Sequence, residues 1–215
     1  MEAHFESLPE TTKGTLERLR GAKFLDQFYL AGGTGLALQI GHRISRDLDF
    51  FTEKNFMENI VMQELQKLGE LAVEQRAPQT INGILNSTKI SFLGYSYPLL
   101  KPLRNIAGVV VADIIDIACM KIEAVASRGT KRDFIDIYCM AQEGLSLKEI
   151  LQYFEVKYAA LQYNMLHIRK SLVYFDDAEN DPMPNMIKPV EWPAVKKFFQ
   201  KEARGVFSNQ AISPK

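Results

Sequence analysis

The sequence predicts an α+β protein, a mixed β-sheet core followed by a helical C-terminal half. Three observations carry this. Between residues 27 and 111, short apolar runs alternate with Gly, Asn and Pro punctuation, as strands and tight connections do. From residue 116 onward, apolar residues recur at helical spacing and the segments open and close on capping residues. A chain of 215 residues with 47% hydrophobic content can bury one good core with a helical appendage. The expected division is a core over 1–112, a helical half over 113–205 and a flexible tail over 206–215.

Residues 8–22 read as a helix with Leu8, Leu16 and Leu19 inward. A first strand covers 27–31 and stops at Gly32-Gly33, and a helix over 34–40 turns Leu36, Ala37 and Ile40 inward. Asp47 to Thr52 is the second strand, followed by a helix over 55–70 that ends at Gly69. Strands follow at 71–75, 80–85 and 88–95, with Asn82-Gly83 marking a tight turn or a bend. A connector over 99–111 leads into an apolar strand centred on Gly108-Val109-Val110-Val111. Asp116 is placed to cap a helix that runs to Arg128, and Gly129 to stop it. Further helices cover 131–142, 147–158 (Ser146 capping, Glu149 three residues on), 161–173 and 191–202. The acidic, proline-rich 176–189 reads as irregular, Asp176 and Asp177 as an acidic turn, and the chain beyond Gly205 as disordered.

Twenty-six basic residues balance twenty-six acidic ones, so bulk charge argues against a general nucleic-acid coat protein. RNA would have to meet a local basic patch drawn from Arg43 and Arg46, or from Arg128, Lys131 and Arg132. Cys119 and Cys139 sit in apolar helical segments and read as buried free thiols. No CxxC or Cys/His pattern occurs and His4, His42 and His167 are scattered, so a structural zinc site is not expected. A polar N-terminus and the absence of a long apolar run point to a soluble, cytoplasmic protein without membrane contact. Tyr95, Tyr97, Phe198 and Phe199 read as core or interface aromatics, and Trp192 as a packing anchor.

Chemistry concentrates in residues 27–51, QFYLAGGTGLALQIGHRISRDLDFF: strand, glycine turn, helix, strand. Alternation puts Asp47 and Asp49 on one strand face, about 7 Å apart at the backbone. Two acids beside a turn that exposes backbone N–H groups suit Mg²⁺ and a triphosphate. A solvated strand edge next to an ordinary glycine turn is the plainer account, and the coupling of the two features in one unit favours the first.

This unit resembles the nucleotidyltransferase superfamily, in which a Gly-Gly or Gly-Ser turn opening a helix precedes an Asp-x-Asp pair. The fuller wording LAGGTGLAL…GHRISRDLDFFT, with DIACMKIEAVASRGTKRDFIDIY at 116–138, resembles the AbiEii/AbiGii toxin family. The resemblance continues weakly into YFDDAENDPMP at 174–184. It implies a nucleotidyltransferase-like mixed sheet and transfer of a nucleotide from an NTP to an acceptor, RNA and especially tRNA. It also implies the toxin role in a toxin–antitoxin or phage-defence pair, with a separately encoded antitoxin as partner.

On that reading Asp47 and Asp49 hold Mg²⁺ (or Mn²⁺), and the amides of Gly32, Gly33 and Thr34 meet the phosphates, with the Thr34 hydroxyl as an extra donor. Arg43 and Arg46 lie close enough to touch phosphate. Lys121 neutralises phosphate charge, and Asp133 completes the metal site or takes the acceptor's proton. Helical spacing puts Lys121 and Arg128 on one face, and Arg132, Asp133 and Asp136 can fold back near them after Gly129. Arg128, Arg132 and Asp136 are expected to support the site from behind or to lock two helices together. One departure stands out. Many nucleotidyltransferases carry a third acid on a later strand, where TKISFLGY offers Lys89 and Ser91 but no carboxylate. A nucleotide-binding module without catalysis and a small-molecule nucleotidyltransferase are therefore the rival readings.

Overall fold

A computed structural model describes residues 3–161 and 163–208. The chain divides into two compact units, Met1–Ile117 and Ala118–Lys215.

The first unit is built on one seven-stranded sheet. Its elements are α1 (Glu10–Leu19), β1 (Tyr29–Leu30), α2 (Gly32–Ile40), β2 (Leu48–Thr52), α3 (Glu58–Leu68), β3 (Leu71–Ala77), β4 (Thr80–Leu85), β5 (Thr88–Gly94), β6 (Arg104–Ile106) and β7 (Val109–Val111). The strand order is β3-β4-β5-β2-β1-β7-β6. β2 runs antiparallel to β1 and parallel to β5, and β1 runs parallel to β7. Alternation decides the faces. Leu48, Phe50 and Thr52 are buried while Asp49 and Phe51 are half-buried on the opposite side. The inner face joins Ile81, Leu85, Ile90 and Phe92 to Leu16 and Leu19 of α1 and to Val61 and Leu65 of α3. Phe92 anchors it, with ring centroids 5.0 Å from both Phe50 and Phe28.

Asn82-Gly83 is not a turn. It lies inside β4, where Gln75 pairs with Asn82 and Val73 with Gly83 across a bulge that leaves Glu74 unpaired. A Cβ on Gly83 would stand 2.5 Å from the Ala72 carbonyl oxygen, so this glycine serves a close backbone approach. The β4–β5 turn falls instead on Asn86 and Ser87, both at positive φ as a two-residue hairpin requires.

α4 (Ile114–Ser127) contains the division between the units. Its start differs from the expected cap. Asp113 accepts the Ile115 amide at 2.9 Å, whereas Asp116, inside the helix, accepts the amides of Leu100 and Lys101 and so pins the connector. The second unit continues with α5 (Lys131–Gln142), α6 (Leu147–Lys157), α7 (Met165–Ser171), α8 (Asp176–Glu179) and α9 (Trp192–Ser208). Ser146 and Glu149 form the expected capping box. Part of the segment read as irregular is ordered by Lys131. Its amide reaches Asp181 Oδ2 at 2.9 Å and its ammonium the carbonyls of Glu179 and Asp181. Trp192 is the anchor expected, donating to Glu179 at 2.7 Å and meeting Phe134 and Phe175 edge-on. Both cysteines are buried thiols outside any disulfide. Residues 206–208, read as tail, extend α9, and 209–215 lie outside the described residues.

Candidate active site

The glycine turn is shaped by what passes beside it. Gly32 has φ +61, and a Cβ there would stand 2.8 Å from Asp49 Oδ2. The carboxylate of β2 therefore lies against the opening of α2, at a distance only glycine permits. Gly35 donates the first intrahelical bond, to the Ala31 carbonyl at 2.9 Å, so the amides of Gly32, Gly33 and Thr34 lie ahead of the ladder. Helix N-terminal amides next to paired acids provide donors for phosphate oxygens and ligands for a cation in one place.

Two expected phosphate contacts have other work. The Thr34 hydroxyl is 1% exposed and is shared between Ser45 Oγ at 2.8 Å and the Asp47 carbonyl. It ties the helix to the approach of β2. Arg43 is 4% exposed, donates to the Ile44 carbonyl at 3.2 Å, and lies so close behind Gly33 that a Cβ there would stand 2.5 Å from Nη2. It buttresses the turn from inside the unit. Arg46, one residue before the acid pair, is exposed and remains the arginine available on this side.

Asp47 and Asp49 border an open cavity of about 470 Å³ whose floor is the outer face of β5, β4 and β3. Lys89, Ser91, Asn82, Gln75 and Glu74 line it. The sequence alone assigns none of these residues to the site. The alternation of β4 and β5 was visible, but which outward residues stand beside Asp49 depends on strand register.

The second unit holds a different cluster. Lys121 of α4 donates to Asp133 Oδ1 at 2.9 Å and pairs with Asp136 Oδ2 at 2.6 Å. Arg128 binds Asp133 through Nε at 2.9 Å and Nη2 at 3.1 Å, and the Thr130 hydroxyl adds a bond at 2.7 Å. Lys121, Asp133 and Asp136 are buried, and two cations balance two anions. Burial pushes the Asp133 carboxyl up, but the Lys121 charge, the Arg128 bond and charge and the Thr130 hydroxyl outweigh it and hold it at about 2. The helical face and the fold-back after Gly129 thus bring four of the expected residues together. Arg132 is exposed and stays outside the cluster.

The family model for the nucleotidyl transferase AbiEii toxin, Type IV TA system, matches residues 15–101 and 92–204. The chain belongs to this family. An uncharacterized protein of Aquifex aeolicus is 36% identical over 207 residues, 94% of this chain and 98% of that protein. The MenT4 nucleotidyltransferase toxin of Mycobacterium tuberculosis shares the fold at TM-score 0.60 and 15% identity, over 91% of this chain and 84% of its own. The antibiotic-resistance factor ANT(2'')-Ia does so at TM-score 0.53 and 14% identity, over 74% and 100%. The chain thus belongs to a family of nucleotidyl transferase toxins and carries a mixed α/β fold shared with known nucleotidyltransferases.

In this AbiEii-family chain, no group of three or more His, Cys, Asp or Glu side chains is arranged to hold a metal among the described residues. Two carboxylates suffice where substrate phosphates complete the shell, as Mg²⁺ sites commonly arrange, so the donor set fits a cation delivered with a nucleotide. No helix among the described residues is long and apolar enough to cross a membrane.

Proposed function

We propose that the protein transfers a nucleotide from an NTP to an RNA acceptor, tRNA being the expected class, in a reaction that depends on Mg²⁺ or Mn²⁺. The observation that carries this is the contact of Asp49 with the start of α2, where a Cβ on Gly32 would stand 2.8 Å from its Oδ2. It joins a cation ligand to free helix amides in one small volume.

The amides of Gly32, Gly33 and Thr34 receive phosphate oxygens, and Arg46 adds a fixed positive charge from the exposed side. Asp47 and Asp49 would hold the cation, which when bound supplies charge neutralisation at the reacting phosphate. The acceptor hydroxyl oxygen forms a bond to the α-phosphorus, the bond to pyrophosphate breaks, and the hydroxyl proton leaves to water in the open cavity. Asp133 already accepts bonds from Lys121, Arg128 and the Thr130 hydroxyl through both of its oxygens. Its part is to fix Lys121 and Arg128, and the expected role of Lys121 toward phosphate rests on the family motif.

Membership of a toxin–antitoxin family supports a separately encoded antitoxin as partner and a cellular role in defence. The experiment is to incubate each labelled NTP with Mg²⁺, total bacterial RNA and the purified protein, beside an Asp47→Ala, Asp49→Ala variant. Label in RNA with the parent protein alone supports the reading. Triphosphate binding without transfer to any acceptor would favour a binding module, which the two-carboxylate site makes the second reading.

A further inference from the structure

Register, rather than sequence proximity, places a line of polar residues across the sheet. Asp49 pairs with Ser91, Ser91 with Asn82, and Asn82 with Gln75, one residue from each of β2, β5, β4 and β3. Strand spacing makes this row about 14 Å long, three steps of about 4.8 Å. It forms the floor of the 470 Å³ cavity that begins at the acid pair. Asn82 Nδ2 donates to Gln75 Oε1 at 2.9 Å, and this bond holds the two amides side by side. Whichever way they are turned, this bond leaves one carbonyl and one NH₂ group of the pair over, on two residues that line the cavity. Lys89 stands two residues before Ser91 on the same face and lines the same cavity as Asp47, with no ion pair to a protein carboxylate among the described residues.

The row lies on a definite side of the chemistry. β1 and the glycine turn flank β2 on one side, and β5 flanks it on the other. In-line displacement at phosphorus brings the attacking oxygen from the side opposite the departing pyrophosphate. If pyrophosphate is held at the glycine turn, the acceptor comes over β5 and β4.

We propose that this floor is the acceptor subsite and takes the 3′ end of a single-stranded RNA. The Asn82–Gln75 amide pair meets the edge of the terminal base, and Lys89 meets a backbone phosphate. The inference rests on the nucleotidyl-transfer reading and deepens it. Paired donor and acceptor groups suit a base edge, where bidentate amide contacts discriminate. A polycationic small molecule would need several acids beyond the two committed to the cation, and the floor offers Glu74 against Lys89. The step is that written above: the terminal hydroxyl oxygen bonds the α-phosphorus, pyrophosphate leaves and the proton goes to water.

The test uses the full chain and four short RNAs that differ only in the 3′-terminal base. The parent protein is expected to prefer one base, and Asn82→Ala and Gln75→Ala to lose roughly tenfold of that preference through acceptor KM, with triphosphate KM unchanged. Lys89→Ala should weaken all four RNAs by a similar factor and flatten the salt dependence, while Lys89→Arg restores both. RNA affinity measured by fluorescence anisotropy on the Asp47→Ala, Asp49→Ala background should show the same losses without turnover. Melting temperatures of the floor variants check that the sheet is intact. Aspartate-dependent transfer to RNA that ignores all three floor positions would overturn this inference and leave the functional reading standing. Transfer only to a small molecule or a protein, or no aspartate-dependent transfer at all, would overturn both.

Discussion

Asp47 stands half-exposed just ahead of β2, its carboxylate without a protein partner among the described residues. Asp133, in the other unit, is 1% exposed and takes bonds from Lys121, Arg128 and Thr130. The same side chain is left open in one place and closed by protein cations in the other. A half-exposed carboxylate bordering an open cavity can take its balancing charge from a ligand. A closed one is balanced already, and removing a partner exposes the desolvation cost of the rest. On the proposed reading the acid pair meets a ligand, while the Lys121 network is held by its own ion pairs, which sets the expected direction of each substitution.

The largest effect should follow loss of the acid pair. Asp47→Ala with Asp49→Ala is expected to lower transfer by about 10³-fold or more, with thermal melting unchanged or slightly raised. A drop of many degrees in melting temperature would put the pair among the structural groups and erase the contrast. Lys121→Ala should behave in the opposite sense. It leaves Asp133 and Asp136 buried with one cation fewer, a loss of about 3–5 kcal/mol in urea unfolding. Stability equal to the parent would show that the network is not closed. Gly32→Ala sits between the two, because its Cβ would collide with Asp49 Oδ2 and alanine disfavours φ +61. Triphosphate affinity and transfer should fall at least tenfold, with about 1 kcal/mol of stability lost.

Acid titration sharpens the comparison further. The Asp133 carboxyl drops from 3.8 to about 2 on folding, so its contribution is present above pH 3.8 and lost as pH falls through about 2. That displacement corresponds to about 2 kcal/mol. Unfolding followed at Trp192, within the helical unit, should show the loss, and an Asp133→Asn variant should unfold with a shallower acid limb. An unchanged limb would remove Asp133 as its source. The smallest effect is Ser146→Ala, which deletes one half of the α6 capping box and should cost about 1 kcal/mol with transfer unaffected.

Much of the site was legible because it is local. A strand, a glycine turn, a helix and two alternating acids lie within residues 27–51, and period-2 geometry alone puts Asp47 and Asp49 on one face. Helical spacing likewise anticipated that Lys121 and Arg128 share a face, and of the three residues expected to fold back, Asp133 and Asp136 meet them while Arg132 stays exposed. The misreadings share a cause. Asn82-Gly83 has strong turn propensity, yet pairing with both β3 and β5 outweighs it, and the true turn falls on Asn86-Ser87. Asp116 is a good cap residue, but Asp113 reached the helix start first and Asp116 was taken up by the amides of Leu100 and Lys101. Arg43 carries a fixed charge next to the acids, and only packing shows that it lies beneath Gly33.

By itself, the amino-acid sequence determined the strand–turn–helix–strand unit, the facing of the acid pair, the family and most of the helical caps. These depend on contacts within a few residues, where backbone geometry leaves few choices. Tertiary structure decided which charges stay open, which are closed in pairs, and which polar residues stand in line with Asp49. Those depend on register and burial among segments tens of residues apart, where a slip of one position would turn the Asn82 row to the other face of the sheet.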